Sequence, residues 1–300
     1  MNKGKTTINK KTDIFCIVSL IIFSILFLTG TFFDKQVSET LYTPKEPFSM
    51  ILSTAAMYIF FGIYVFFYGS MTRQLVSSDM SKLKKSLLSS VCVICGALTS
   101  WISTSGLLKK SCLGVYFDRP FSKPEAMAAG LITMFPLFFI GFFVSEKKYD
   151  KQIVKKLLSV IFYMTLAFVI PLAVKAVFMR PRFLITKMEL DGVDYQPWYV
   201  IDRNMKALKL QYDLEGDDFS SFPSSHSIDA FLDVMVFPAL SVVIPKLENK
   251  KRFLFAAAAV SAPFIMLSRI VLGAHFLSDV SFGALTGVIL YICYSHTKEK

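Results

Sequence analysis

The stretch SRIVLGAHFLSD, Ser268–Asp279, sets His275 four residues before Asp279, a separation that puts two side chains on one helix face. A carboxylate so placed accepts from one ring nitrogen, fixes the tautomer and leaves the other lone pair free to attack. Arg269 stands late in the preceding apolar run, and Gly273 marks the turn between them. A second polar island, KAVFMRPRF, lines up Lys175, Arg180 and Arg182, with Pro181 disfavouring helix at Arg180 and ending it there. The third is FPSSHS, Phe222–Ser227. Ser224 or Ser225 caps a helix whose first-turn N–H groups form an anion site, and His226 follows directly. Taken singly, each island has an ordinary reading: snorkelling bases, a capped helix with an interfacial histidine, or an Arg–Asp pair holding helices together.

The elements that must position these groups are apolar. The chain has 300 residues, 54% of them hydrophobic, and a mean hydropathy of +0.52. Runs of the length needed to cross a bilayer as helix recur at about 14–33, 49–70, 86–107, 126–145, 157–178, 226–245, 253–272 and 275–294. No ten-residue segment alternates with period two, which argues against a barrel. The expected class is an all-α integral membrane protein of about eight transmembrane helices. The first run is too long for the apolar part of a cleaved signal, so it reads as a retained span.

A net charge of +11 would suggest nucleic acid in a soluble protein, but here its distribution carries the information, and no nucleic-acid partner is expected. Lys3, Lys5, Lys10, Lys11, Arg73, Lys82, Lys84, Lys85, Lys147, Lys148, Lys151, Lys155, Lys156, Lys246, Lys250, Lys251, Arg252, Lys298 and Lys300 fall on segments that are cytoplasmic if both termini are. Lys109, Lys110, Arg119 and Lys123 fall on the other side. In this topology the long segment 183–222 is extracytoplasmic, as lid, collar or spacer. The five cysteines read as small packing residues, including the Cys92–Cys95 pair inside a run. No thiolate cluster or histidine-rich triad offers a metal a home.

All three islands then meet at one outer face. Three or more cations, a helix N-terminus and two histidines suit a phosphoryl group: positive charge and backbone donors for its oxygens, one nucleophile and one proton donor. The residues resemble the type 2 phosphatidic acid phosphatase superfamily, the lipid phosphate phosphatases, whose signature is KxxxxxxRP, PSGH and SRxxxxxHxxxD. The third part matches at every fixed position, the second has Ser225 for glycine, and the first has Phe183 for proline. The resemblance implies a six-helix phosphatase core over 86–300, with residues 1–85 forming an N-terminal tail and two extra helices. It further implies a metal-independent, cofactor-free reaction in which His275 attacks phosphorus, Asp279 holds its ring, and His226 serves as acid and then base. Lys175, Arg182, Ser224, Ser225 and Arg269 would cradle the phosphoryl oxygens, with Arg180 a possible rim contact. Asp229, three residues after His226, is placed to stabilise its protonated form.

The function so implied is hydrolysis of lipid phosphates or diphosphates (undecaprenyl pyrophosphate, phosphatidic acid or phosphatidylglycerophosphate) through a phosphohistidine in the cell membrane, at the extracytoplasmic face. Transfer of the same phosphoryl group to a lipid or sugar acceptor is the alternative. A channel or transporter with charged residues along its pathway is a third reading, which phosphate release abolished in His275→Ala separates from both.

Overall fold

The computed structural model describes residues 3–104, 112–113, 122–202 and 204–297, and among these there is no strand. Among the described residues, eight helical stretches are long and apolar enough to cross a membrane, from Ile14–Leu41 to Leu277–Thr297. The protein is an all-α integral membrane protein. Lys109, Lys110, Arg119, Lys298 and Lys300 lie outside the described residues.

The chain forms two units. The first comprises Met1–Pro44, Ala167–Leu232 and Arg269–Lys300; the second, Lys45–Leu166 and Asp233–Ser268. In the second, α2 (Pro47–Val76) packs against α3 (Lys82–Ser103) and α5 (Pro136–Val144). Glu46 caps α2 by accepting from the Phe48 and Ser49 N–H groups at 3.1 and 2.6 Å. The fourth run, expected as one span, is one apolar stretch, Pro124–Val144, interrupted between α4 (Lys123–Met134) and α5, where Pro136 has no N–H to continue the ladder.

In the first unit, α1 (Lys3–Leu41) buries Cys16, Ser19, Phe23, Gly30, Asp34 and Ser38, a spacing of three, four and seven that makes one seam. Phe23 meets Phe231 edge-on at 4.6 Å between centroids, and Phe27 sits 5.6 Å from Phe282. The helix runs eight residues past the apolar stretch read from sequence. Its polar end stays helical because Asp34 and Ser38 face protein, where they are buried. The first span, expected to be an addition of unknown role, packs directly on α11 (Leu277–Thr297).

α6 (Lys151–Phe178) stops where Met179 takes a left-handed φ of 43°, immediately before Arg180–Pro181. The segment that follows is folded. Ile185, Val193, Met205, Leu214 and Phe219 form a small core containing the short helices α7 (Phe183–Thr186) and α8 (Met205–Gln211). The segment returns to α9 (Ser225–Ala239), and the last turn in the unit joins α10 (Lys251–Val271) to α11. Gly273 makes that turn with φ 64°, which lets both Ala274 and His275 donate back to the Arg269 carbonyl at 3.0 and 3.2 Å.

Candidate active site

Lys175, Arg182, Ser224, Ser225, His226, Arg269, His275 and Asp279 all lie in the first unit. Lys175, in the last turn of α6, reaches Ser225 Oγ at 3.0 Å. Ser224 caps α9, its hydroxyl accepting from the Ser227 N–H at 3.4 Å, while its own N–H donates to the Asp279 carbonyl at 3.1 Å. The PSSH turn is thus tied to the lysine on one side and to the start of α11 on the other. His226 is buried in the first turn of α9, with Asp229 half-buried one turn on.

His275 precedes α11 instead of opening it, since the helix starts at Leu277. Its Nδ1 lies 2.6 Å from the Ser221 carbonyl oxygen. A carbonyl can only accept, so the proton sits on Nδ1 and the Nε2 lone pair is available. The acceptor expected from sequence was Asp279, but its Oδ2 is 3.8 Å away, beyond hydrogen-bond range and close enough to act electrostatically. The reason is that Asp279 is otherwise engaged. Its Oδ2 accepts from the Ser221 hydroxyl at 2.5 Å and the Phe276 N–H at 2.8 Å, and its Oδ1 from Arg180 Nη1 at 2.5 Å. The Phe276 contact is the reach-back of an acidic third residue to the N-cap of its own helix.

Burial pushes the His275 imidazole down from its ordinary 6.5 to about 3; Asp279 pulls upward, and the charges of Arg182, Lys175 and Arg269 push down. The last three terms are informative about geometry, because each cation must be near enough for its field to reach the ring. Arg182 is held in place by Asp217, whose carbonyl takes Nε at 2.7 Å and whose carboxylate takes Nη2 at 2.9 Å. Arg269 is fully buried at the end of α10.

Arg180, expected as a rim contact, is instead fully buried. Its Nε donates to the Gln196 carbonyl at 2.7 Å and its Nη1 to Ser278 Oγ at 2.9 Å as well as to Asp279. Its Nη2 donates to Asp34 Oδ2 at 2.9 Å, and the guanidinium lies 4.0 Å above the Phe276 ring.

Sequence reasoning missed four contributors: Asp34, Asp217, and the carbonyl and hydroxyl of Ser221. Two of them have a sequence signal. Asp34 is a carboxylate at the end of a span, and such a group needs a partner. Asp217 lies in the acidic EGDDF stretch shortly before FPSSHS. The segment 183–222 supplies three of the four.

A helical membrane protein with a buried imidazole held by a carbonyl, in the field of three cations, is the class that these features define. Residues 153–300, just under half of the chain, match the model of the PAP2 superfamily. A curated relative is phosphatidylglycerophosphatase B of Bacillus subtilis (strain 168), 33% identical over 84 residues. The match covers 27% of this chain and 40% of the relative's length. No solved structure gives a significant match.

Proposed function

We propose that this protein is a membrane-embedded phosphatase that hydrolyses lipid phosphates or diphosphates through a phosphohistidine. The observation that carries the reading is His275: Nδ1–H tied to Ser221 O, burial that keeps the ring neutral, and the fields of Lys175, Arg182 and Arg269 converging on it. In the first step Nε2 forms a bond to phosphorus as the bond to the leaving oxygen breaks, and His226 gives that oxygen its proton. In the second, His226 takes a proton from water, whose oxygen displaces the imidazole and frees inorganic phosphate. Lys175, Arg182, Arg269 and the donors of Ser224 and Ser225 hold the equatorial oxygens, with charges that are strong because water is excluded.

The substrate class follows from the setting, since a lipid headgroup can enter such a site while its tails stay in the bilayer. Phosphatidylglycerophosphate is the first substrate to test, because the Bacillus relative is named for that activity. The reading sets the site at the extracytoplasmic face of the cell membrane and both termini in the cytoplasm. The experiment is phosphate release by detergent-purified protein from a panel of lipid mono- and diphosphates, with chelator present. Release that is abolished in His275→Ala is expected. Release that survives in that variant, or that requires added metal, overturns the mechanism.

A further inference from the structure

Asp34 belongs to α1, far outside the residues that match the superfamily, yet its carboxylate is 1% exposed and meets the first turn of α11. Its Oδ1 accepts from the Ser278 N–H at 2.8 Å. Its Oδ2 accepts from the Ser278 hydroxyl and from Arg180 Nη2. The same guanidinium donates through Nη1 to Asp279 Oδ1, so a single buried arginine is shared between two buried carboxylates. Asp279 is in turn 3.8 Å from the His275 ring.

Shared in this way, Arg180 has little freedom. Five planar donors in a fixed fork meet Gln196 O, Ser278 Oγ, Asp279 and Asp34, and each fixes the plane for the others. Without the Asp34 carboxylate the fork is no longer balanced. The full guanidinium charge then falls on Asp279, and the Ser278 N–H in the first turn of α11 loses its acceptor. Both changes act on the side chain beside the imidazole.

A second feature of α1 points the same way. Gly30 lies one turn before Asp34, and a methyl group there would stand 2.5 Å from the Ser278 backbone nitrogen and 2.9 Å from Asp34 Oδ1. The glycine lets the helix approach close enough for the carboxylate to reach Ser278. Thr31, next to it, accepts from Trp198 Nε1 at 3.0 Å, which ties the segment 183–222 to the same stretch of α1.

We propose that Asp34 is a positioning residue for the reaction, acting through Arg180 and Ser278 to set Asp279 against His275. The inference rests on the phosphatase reading above. It makes α1 a working part of the active site, where the superfamily match alone would leave it an added span.

The test compares purified Asp34→Asn, Gly30→Ala, Glu39→Gln and wild type, each normalised by burst titration of phosphoenzyme so that only folded, competent sites are counted. Asp34→Asn keeps the shape and the acceptor for Ser278 N–H but turns a donor toward Arg180. It is expected to lower kcat at least about tenfold, as for a lost bond to a charged group, with KM within about twofold. Gly30→Ala leaves Asp34 chemically intact and should lower kcat in the same direction, so the inference stays testable if Asp34→Asn does not fold. Glu39→Gln, on the same helix as Asp34, breaks only the exposed pair to Lys187 at the end of α7 and should keep wild-type kcat. A purely structural staple would instead reduce the number of competent sites and leave kcat per site unchanged, which overturns the inference. Wild type that releases no phosphate, or His275→Ala that still does, overturns the phosphatase reading itself. Activity lost in His275→Ala but retained per site in both α1 variants sinks the Asp34 inference alone.

Discussion

Lowering the pH from about 7 to about 5 should cost the wild-type protein about 2 kcal/mol of stability that a His275→Gln variant keeps. The side chain is 1% exposed, and burial is the main reason its imidazole stays neutral down to about 3 in the folded protein. In the unfolded chain it titrates near its ordinary 6.5. Between those values the unfolded state binds more protons than the folded one, so stability falls as the pH falls through this window and is unaffected by this group above it. Each unit below the unfolded pKa costs about 1.4 kcal/mol, which over roughly one and a half units gives the figure above. Thermal or denaturant unfolding of detergent-purified protein at both pH values measures it. Comparing the two proteins cancels the carboxylates that titrate in both. Parallel losses in wild type and variant would refute the reasoning, since the folded ring would then be taking up a proton as readily as the unfolded one. The same depression has a kinetic corollary. An acid limb in the rate profile near neutral pH must belong to another group.

Ser221→Ala keeps the carbonyl that holds Nδ1 but removes the hydroxyl from Asp279 Oδ2. The loss of one bond to a buried carboxylate should lower kcat about 10- to 100-fold, read by phosphate release under saturating lipid. Arg180→Lys keeps the charge but cannot serve Asp34, Asp279, Ser278 and the Gln196 carbonyl together. It should destabilise the protein by about 1–3 kcal/mol, the cost of leaving a buried acceptor without its donor, seen as a lowered unfolding midpoint in detergent.

What could be read from one sequence, and what could not, divides along a physical line. The spans were legible because a bilayer demands long apolar stretches, and the helices agree with those stretches to within a few residues at most ends. The widest departure, the far end of α1, is a place where one side of the helix meets protein: DKQVSETL looks like a loop by composition, yet Asp34 and Ser38 are buried. The spacing in KAVFMRPRF singles out Arg182 but says nothing about Arg180, whose fate depends on a carboxylate 146 residues earlier. The Ser221 carbonyl that orients His275 had no signature at all, because every residue carries a carbonyl and only the fold decides which one points at a ring.

The charges around His275 perform two tasks that are linked. Arg182, Lys175 and Arg269 push the imidazole toward its neutral form, and in the proposed site the same three hold the phosphoryl oxygens. An arriving phosphate brings negative charge into the field of those cations, and so relieves their pressure on the ring when the ring begins to develop positive charge on attacking phosphorus. Neutral before binding and tolerant of charge after it, the imidazole meets what the proposed mechanism asks of a nucleophile that becomes a stabilised cation in the transition state. Asp279 contributes to the second condition from 3.8 Å, a distance at which it attracts the developing charge without taking the proton that the Ser221 carbonyl already holds in place. Arg180 tempers that attraction by drawing on Oδ1 of the same carboxylate, and Asp34 tempers Arg180. Under the proposed mechanism the reach of the α1 carboxylate therefore extends to the reacting nitrogen through Arg180, Ser278 and Asp279, with no contact between the two groups.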